Sequence, residues 1–275
     1  MLLPIFKWPG GKKREIRLFE DFFPEFVSKE NYTYVEPFVG GGALYWYLNN
    51  LSGKNIINDF DRDVANFYKE FQLGSPDFIG QIRDFGNINN HDELEKLFYN
   101  YRDKDRDGGL KKLSNTEKAI RFFVVSQLAY SGMRRFNGSG EFNVPFGHYR
   151  NFKTDVVDSA GHKLLLNQTI IHQGDFEPVM RANDTGNTFQ FLDPPYVRNF
   201  KEYSADCSFG EKEHRRLAKT IKSMKKASIM MIIDKSPFTE RLYKSMIRSS
   251  YTLKYSFKIK NRFSAAAEHL VICNY

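Results

Sequence analysis

The segment YVEPFVGGGA, residues 34–43, decides how this chain folds. Residues 31–35 predict a short strand, residues 43–49 predict a helix with two leucines four positions apart, and residues 55–57 predict a second strand that leads to Asp59. Strand, glycine-rich turn, helix and strand form a βαβ unit, which is typical of a mostly parallel sheet. The three glycines let a ligand approach the backbone closely, because no Cβ atom intervenes.

The rest of the chain contains two kinds of sequence. From residue 62 to residue 153 amphipathic helical patterns dominate, around a mixed charge run at 102–112 that we interpret as a solvated loop. Strands and helices alternate again from residue 154. We therefore expect an α/β fold in which residues 1–61 and 154–275 form one domain, and residues 62–153 form an inserted, mainly helical domain with a hairpin or extended loop at its end.

Periodicity also predicts the elements beyond the first βαβ unit. Strands are expected at 168–173, 188–192, 228–233, 251–259 and 269–275, of which the last two can pair antiparallel. Helices are expected at 92–101 and 116–130, around Leu217, Ile221 and Met224, and around Leu242, Met246 and Ile247.

Composition narrows the class of protein. The chain has 275 residues, 41% hydrophobic residues and a formal net charge of +8, which favours a polyanionic partner. The two cysteines, Cys207 and Cys273, lack the spacing of metal ligands and indicate a reducing compartment. The N-terminus does not resemble a signal peptide, and no apolar run reaches membrane-spanning length, so we expect a soluble, cytoplasmic protein.

Four polar clusters follow predicted strands: Glu36 to Phe38, Asp59, Asp175 with Phe176, and Asp193 to Tyr196. Open α/β sheets bind ligands at the carboxyl ends of their strands, so these clusters are expected to face one crevice. Asp59 follows Gly40 by nineteen residues, close to the position of a ribose-binding acid in nucleotide folds. The turn lacks the G-x-G-x-x-G spacing, which favours a phosphate-free adenosine ligand over a dinucleotide.

The cluster DPPY, residues 193–196, forms a rigid end to its strand. Prolines fix their own φ and have no backbone N–H, and they push the preceding residue toward extended geometry. The result is a stiff turn with free carbonyls, one carboxylate and one aromatic ring, which suits a flat polar ligand.

Six motifs together resemble the Dam-type, or alpha-group, DNA adenine-N6 methyltransferases. They are FKWPGGK, YVEPFVGGGA, NDFD, RRFNGSGEFNVPFGHY, GDF and DPPY. The resemblance runs from Phe6 to Tyr275 and implies a Rossmann-like, S-adenosylmethionine-dependent methyltransferase sheet with an inserted DNA-recognition domain. It also implies S-adenosylmethionine as cofactor and double-stranded DNA as partner, and we expect a monomer, which suits a short two-fold site methylated one strand at a time.

The resemblance assigns cofactor-binding roles to matching residues. Trp8 and Lys12 would border the methionine and DNA sides of the site, Asp59 would bind the ribose hydroxyls, and Asp175 with Phe176 would hold the adenine. The residues around the methionine part would be Glu36, Pro37, Phe38, Gly40 and Gly42, and Asp193 would also face the cofactor.

Chemistry on a base requires the base to leave the stack, so the target adenine would be flipped. The Asp193 carboxylate and the Pro194 carbonyl would accept the two hydrogens of its N6 amino group, with Pro195 keeping the turn rigid and Tyr196 stacking on the ring. Hydrogen bonds accepted outside the ring plane would localise the nitrogen lone pair for direct attack on the sulfonium methyl. We expect neither a covalent enzyme intermediate nor a metal.

The resemblance also suggests how a GATC site would be read. Arg135 would contact a guanine, because arginine is the usual bidentate reader of guanine O6 and N7. Pro145 would contact the thymine methyl, Lys12 would touch the outer guanine, and Tyr130 with Ser131 would flank the flipped base. The remaining residues assigned to DNA are Asn137 and Tyr149, with Arg134, Arg262 and Ser264 expected on phosphates.

Three positions depart from the family pattern. Ser131 stands where asparagine is common, His148 replaces a frequent arginine, and the loop at 234–237 lacks the usual Ser-Asn pair.

Other functions remain open at this point: an N4-cytosine or RNA base methyltransferase, and a DNA-binding module of the same fold without turnover. A nucleotide-dependent dehydrogenase fits the glycine spacing less well.

Overall fold

A computed structural model of the chain describes residues 2–29, 31–196, 209–253 and 267–275. Its sheet has seven strands: β1 Thr33–Glu36, β2 Lys54–Asp59, β3 Thr169–Gln173, β4 Thr188–Leu192, β5 Ser228–Asp234, β6 Ile247–Leu253 and β7 Ala267–Cys273. They lie in the order β3-β2-β1-β4-β5-β7-β6. Strands β1 to β5 are parallel, whereas β7 runs antiparallel to both β5 and β6. The predicted α/β fold with a mostly parallel sheet is confirmed.

The central strands are apolar because they are covered on both sides. All residues of β4 (TFQFL) are buried, and in β5 (SIMMIID) only the first and last residues are partly exposed. Parallel strands between two layers of helices need continuous apolar runs of this kind. The edge strand β3 is mostly exposed or half-buried, in keeping with its more polar sequence.

Helices connect and cover the strands. Their bounds are α1 Ala43–Leu48, α2 Arg62–Leu73, α3 Pro76–Phe85, α4 His91–Arg102, α5 Asn115–Leu128, α6 Ala160–Asn167, α7 Phe176–Ala182, α8 Glu211–Ser223 and α9 Pro237–Tyr243. A reciprocal capping box between Ser114 and Glu117 begins α5. In the described part of the chain, no helix is long and apolar enough to cross a membrane.

Asn58 aligns the ends of three strands. Its side chain is buried, and its amide donates to the Pro37 carbonyl beyond β1 at 2.9 Å and to the Gly174 carbonyl beyond β3 at 3.0 Å. Since Asn58 itself lies in β2, one carboxamide joins the carboxyl ends of three neighbouring strands. The polar clusters that follow these strands are thereby brought to one edge of the sheet.

The helical segment shares its core with the sheet. Phe67 of α2 and Phe123 of α5 stack with ring centroids 5.6 Å apart, and Phe6 packs edge-on against Phe67 at 5.2 Å. The same cluster of buried residues includes Tyr34 of β1 and Phe189 of β4. The boundaries predicted at residues 62 and 153 stay a prediction, and apolar packing is continuous across them.

The interpretation of residues 102–112 as a solvated loop is wrong for Asp105. Asp103–Lys112 forms a 3₁₀ helix, and Asp105 within it is buried. One oxygen of Asp105 accepts from the Arg121 guanidinium at 2.6 Å and from the Phe142 backbone N–H at 2.8 Å. A run of mixed charges gives no signal for which one is paired inside, because its partners lie far away in the chain.

The predicted C-terminal elements need one correction. The predicted helix around Leu242, Met246 and Ile247 is wrong only for Ile247: α9 ends at Tyr243, a 3₁₀ turn follows over Lys244–Met246, and Ile247 begins β6. The antiparallel pairing of the last two strands is confirmed, with Tyr251 opposite His269. The part of the predicted strand at 254–259 lies outside the described residues.

We predict that Asp105→Ala lowers the free energy of unfolding by about 3–5 kcal/mol, because it leaves the Arg121 charge buried without its partner. Asp103→Ala is the matched control from the same 3₁₀ helix: its side chain is 44% exposed and its pairs with Arg102 and Arg106 lie at the surface. This control should cost about 0–1 kcal/mol. Urea denaturation measures both values, and equal losses would contradict the buried pair.

Candidate active site

A cleft of about 280 Å³ opens at the carboxyl ends of β1, β2 and β4, close to the lower end of the roughly 300–1,000 Å³ of small-molecule sites. Every residue predicted to bind the cofactor or to act in catalysis lines it: Trp8, Lys12, Glu36, Pro37, Phe38, Gly40, Gly42, Asp59, Asp175, Phe176, Asp193, Pro194, Pro195 and Tyr196. The crevice that the sequence predicts at the strand ends is therefore present.

The glycine-rich turn forms one wall through backbone that only glycine adopts easily. Gly40 and Gly42 have φ of 45° and 66°, in the left-handed region. A Cβ atom on Gly40 would lie 2.4 Å from Nε1 of Trp8, so the indole ring packs directly on the turn. The turn thus excludes side chains on both steric and conformational grounds.

Asp59 joins the turn to the end of β2. Its carboxylate accepts from the Gly40 N–H at 2.8 Å and from the Asp61 N–H at 2.9 Å, one on each oxygen. Desolvation, with the charge of Asp61 in addition, raises the pKa of the Asp59 carboxyl to about 7. Each oxygen retains a second lone pair, so the group can accept two vicinal hydroxyls.

Glu36 places a second carboxyl in the cleft. It is 2% exposed and accepts a hydrogen bond of 2.8 Å from the Tyr34 hydroxyl. Burial raises the pKa of the Glu36 carboxyl well above its usual range, and the charges of Asp193 and Asp59 act in the same direction. A cationic ligand would relieve this concentration of carboxyls.

Three aromatic rings form an apolar wall. Phe38 lies 5.3 Å from Phe176 and 5.5 Å from Phe209 between ring centroids, and Phe176 and Phe209 are 5.8 Å apart. The Arg216 guanidinium covers the other side of Phe176 at 4.2 Å. Such a wall can receive a flat heteroaromatic ring.

Asp175 is held by Arg216, a residue that the sequence analysis missed. Its Oδ1 accepts from the Glu177 N–H, which begins α7, and from Arg216, while its Oδ2 accepts from Arg216 at 2.5 Å. These bonds lower the pKa of the Asp175 carboxyl below its usual value. Oδ2 keeps one lone pair for a further donor, such as an exocyclic amine. No motif pointed to Arg216, because it lies in α8, far from the other clusters in sequence.

Asp193 and Lys12 form a buried ion pair at the end of β4. The Lys12 ammonium lies 2.9 Å from Asp193 Oδ1 and donates to the Gly10 carbonyl, and the Lys12 side chain is only 2% exposed. Burial raises the pKa of the Asp193 carboxyl, while Lys12 opposes this shift. The predicted contact of Lys12 with an outer guanine does not agree with this position, because the ammonium points inward and is engaged.

Two histidines missed by the sequence analysis support the DPPY turn. His214 is fully buried, which lowers its pKa to about 4, and its Nε2 lies 3.0 Å from the Pro195 carbonyl. A neutral imidazole with its proton on Nε2 donates to that carbonyl. The His269 ring packs edge-on against Tyr196 at 5.4 Å, and its Nδ1 bonds to the buried Glu15 carboxylate at 3.0 Å.

The residues predicted to contact DNA lie outside the cleft, apart from Lys12. They sit on the segment 130–149, which two isolated antiparallel bridges, Ala129 with Phe146 and Phe136 with Phe142, fold back on itself. Tyr130 is 49% exposed, and Arg135 and Pro145 are exposed. This segment presents the extended loop that the sequence predicts.

Local hydrogen bonds shape this segment. The Arg135 guanidinium donates to the side chain of Asn143 at 2.8 Å and to its carbonyl at 3.2 Å. The Asn137 carboxamide is engaged in the turn, since its oxygen accepts from the N–H groups of Ser139 and Glu141. The Tyr149 ring lies under the Lys7 ammonium at 3.7 Å. Arg135 is thus oriented at the surface, while Asn137 organises the turn.

Arg134 differs from its neighbour, and its interpretation as a phosphate contact is wrong. Its side chain is 6% exposed and pairs with Asp61 at 2.8 Å. Asp61 lies beyond β2, and no local sequence pattern predicts a partner so far along the chain.

The departures from the family pattern have visible local effects. Ser131 and His148 have φ of 53° and 56°, in the left-handed region that asparagine adopts more readily than serine. His148 stacks on His91 at 5.6 Å. In the loop at 234–237, Ser236 caps α9, and Lys235 pairs with Glu268 at 2.7 Å. The predicted phosphate contacts of Arg262 and Ser264, and Cys207, lie outside the described residues.

Comparison with known proteins identifies the family. Residues 8–261 match the D12 class N6 adenine-specific DNA methyltransferases. The chain is similar to the Type II methyltransferase M.CviBI of Paramecium bursaria Chlorella virus NC1A, with 32% identity over 99% of both chains. It is 33% identical to the Type II methyltransferase M1.LlaDCHI of Lactococcus lactis subsp. cremoris, over 88% of this chain and 85% of that one. It is 29% identical to a DNA adenine methylase of Haemophilus influenzae, over 87% and 82%.

The observed sheet is the one expected for this family, and the cleft fits the cofactor that the family uses. The mixed α/β sheet is that of the S-adenosylmethionine-dependent methyltransferases. The carboxyl of Asp59, the aromatic wall and the buried Glu36 suit a ribose, an adenine and an ammonium respectively. The chain belongs to the D12 class of N6 adenine-specific DNA methyltransferases, enzymes that use S-adenosylmethionine as the methyl donor.

Proposed function

We propose that this chain methylates N6 of the adenine in GATC sites of double-stranded DNA, and that the adenine is flipped into the cleft. The observation that carries the proposal is the Lys12–Asp193 pair, which holds a carboxylate at the end of β4. This carboxylate shares one cleft with Asp59 and Glu36. The N6 nitrogen of the adenine and the methyl group of S-adenosylmethionine can therefore be held next to each other in this cleft.

The cofactor side of the cleft is assigned by donor and acceptor chemistry. Glu36 and the turn that contains Gly40 hold the methionine part, and Trp8 packs against the turn. Asp59 accepts the ribose hydroxyls, and the adenine lies against Phe38 and Phe176 with its amine on Asp175. When bound, S-adenosylmethionine supplies a methyl group on a positively charged sulfur.

The target side is assigned to the DPPY turn. Asp193 and the Pro194 carbonyl accept the two N6 hydrogens of the flipped adenine, and the Tyr196 ring stacks on the base. His214 fixes the turn through the Pro195 carbonyl, so the acceptors stay in place during transfer. Lys12 opposes the rise in the pKa of the Asp193 carboxyl, and this group accepts the proton that the methylated nitrogen releases.

Recognition is assigned to residues 62–153, with catalysis on residues 1–61 and 154–275. Arg135 reads a guanine, Pro145 contacts the thymine methyl, and Tyr130 with Ser131 lies beside the gap left by the flipped base. Asn137 shapes the turn of this segment, and Tyr149 lies at its far end. A formal net charge of +8 supports attraction to the phosphate backbone. We propose that the enzyme works as a monomer, one strand at a time.

We expect Asp193→Ala to reduce methyl transfer to a duplex by at least about 10²–10⁴-fold, because an acceptor of the N6 hydrogens is lost. Cofactor affinity should change far less, since the remaining cleft residues are intact. Radiolabelled methyl transfer and titration calorimetry measure the two quantities. Asp155→Ala, at an exposed position, is the control and should behave as wild type. Retained turnover in Asp193→Ala would refute the role of this carboxylate.

Gly40→Ala should weaken cofactor binding by about tenfold or more, because the new Cβ meets the Trp8 ring and the backbone has positive φ. Gly80→Ala is the matched control: it lies inside α3, and a Cβ there meets nothing within 4 Å. Calorimetry with S-adenosylhomocysteine measures both affinities, and circular dichroism checks the fold. Equal affinities in the two variants would argue against a cofactor role for the turn.

Expression in a host without DNA methylation, followed by sequencing of modified bases, tests the site. We expect N6-methyladenine within GATC, and modification elsewhere or on cytosine would overturn the proposed target. Arg135→Ala should lower kcat/KM on GATC duplexes by about 10–150-fold, the loss of one bidentate base contact.

Arg150→Ala is the control for Arg135, because Arg150 is exposed and directly follows the segment 130–149. It can remove a phosphate contact but not a base contact, so it should leave the preference for GATC over altered sites unchanged. A loss of preference in both variants would show a general electrostatic effect in place of base reading.

A further inference from the structure

We infer that Arg134 is a positioning residue that couples cofactor binding to DNA recognition. The inference rests on the proposed function, in which Asp59 holds the cofactor and Arg135 reads a guanine. Arg134 connects these two sites directly. It precedes Arg135 in the segment 130–149, called the recognition segment below, and its own side chain reaches the residues around Asp59.

The first connection is an ion pair with Asp61. Arg134 Nη2 lies 2.8 Å from Asp61 Oδ2, while Asp61 Oδ1 accepts the Asp63 N–H that begins α2. The Asp61 N–H donates to Asp59 Oδ1 at 2.9 Å. The position of Asp61 is thus fixed from two sides, and its backbone in turn orients the Asp59 carboxylate.

The second connection runs through aromatic rings. The Arg134 guanidinium lies 4.9 Å from the centroid of the Trp8 ring and 5.6 Å from that of Phe136. Trp8 packs on the backbone of Gly40 and lines the cofactor cleft, whereas Phe136 belongs to the recognition segment. The guanidinium therefore contacts the wall of the cleft and the recognition segment at once.

Burial makes this arrangement sensitive to displacement. The side chains of Arg134 and Asp61 are 6% and 13% exposed, so solvent screens their interaction little. In the described part of the chain, the buried Arg134 Nε has no hydrogen-bond partner, so the guanidinium depends on Asp61 and the rings around it. Removing either member of such a pair leaves the other charge buried without its partner, so the arrangement depends on both residues.

Coupling follows from these contacts. A ligand held by Asp59 restrains Asp61, and the ion pair passes this restraint to Arg134 and to the segment that presents Arg135. Ordering the segment before DNA binds lowers the entropic cost of recognition. The effect must be reciprocal, so DNA should tighten cofactor binding by the same factor.

The test is a binding cycle with a GATC duplex and S-adenosylhomocysteine, which cannot react. The coupling ratio is the duplex Kd without S-adenosylhomocysteine divided by the Kd with it. We expect a ratio of about 5–150 for the wild-type protein, the usual range for coupled sites. Arg134→Met keeps the length of the side chain without its charge and should bring the ratio close to one. Arg134→Lys should recover part of it, because its ammonium can reach Asp61.

Arg135→Ala is the matched control at the adjacent position. It should weaken duplex binding with and without S-adenosylhomocysteine by the same factor, and so leave the ratio unchanged. If Arg134 has a purely structural role, Arg134→Met will also weaken duplex binding equally with and without S-adenosylhomocysteine and leave the coupling ratio unchanged. That result would overturn the inference. A wild-type ratio of one would overturn it as well.

A second variant keeps the test decisive if Arg134→Met does not fold. Asp61→Asn retains the backbone N–H to Asp59 and an oxygen to cap α2, but removes the charge that Arg134 pairs with. This variant should also bring the coupling ratio close to one. Failure of the proposed function has a separate signature: the wild-type protein would bind no S-adenosylhomocysteine or would not methylate GATC. Failure of the inference leaves both of those activities intact and the ratio unaltered in the variants.

Discussion

The carboxylate of Asp59 is the constraint on which the rest of the cleft depends. It stands at the end of β2 and accepts one backbone N–H from the glycine turn and one from the loop that begins α2. Two segments without regular structure are thus fixed to the end of a buried strand. Asn58, the preceding residue, fixes the ends of β1 and β3 in the same plane. Two adjacent polar residues therefore hold together the backbone that forms the cleft at the ends of β1, β2 and β3.

The charges in the cleft have a common physical logic. Glu36 is buried and Asp59 and Asp193 are partly buried, and desolvation raises the pKa of each of these carboxyls. Asp193 is compensated by the buried Lys12, and the charge of Arg134 partly offsets the rise in the pKa of Asp59. Glu36 can receive the ammonium of a ligand, and a sulfonium adds further positive charge to the cleft. Negative charge that burdens the free protein becomes a source of affinity in the complex.

The sheet and the cleft could be predicted from the sequence because both follow from local rules. The predicted strand 188–192 matches β4 residue for residue, and clusters at parallel strand ends must meet at one edge. The prediction from sequence failed where two residues that are distant in the chain form an ion pair, as Asp105 does with Arg121 and Asp175 does with Arg216. Each charge in such a pair looks like a surface charge until its partner is known. The inward orientation of Lys12 has the same cause, since its anion, Asp193, follows β4 far along the chain.

The continuous core has a practical meaning for protein engineering. Phe67 of α2 and Phe123 of α5 pack in the same cluster as Tyr34 and Phe189, so these helices also cover one face of the sheet. Grafting the whole of residues 62–153 from a relative would replace the buried side chains of the helices and leave the buried side chains of the sheet without their packing partners. A chimera that exchanges only the exposed positions within 130–149 leaves the shared interior intact. New sequence specificity is therefore better sought by resurfacing this enzyme than by transplanting a module into it.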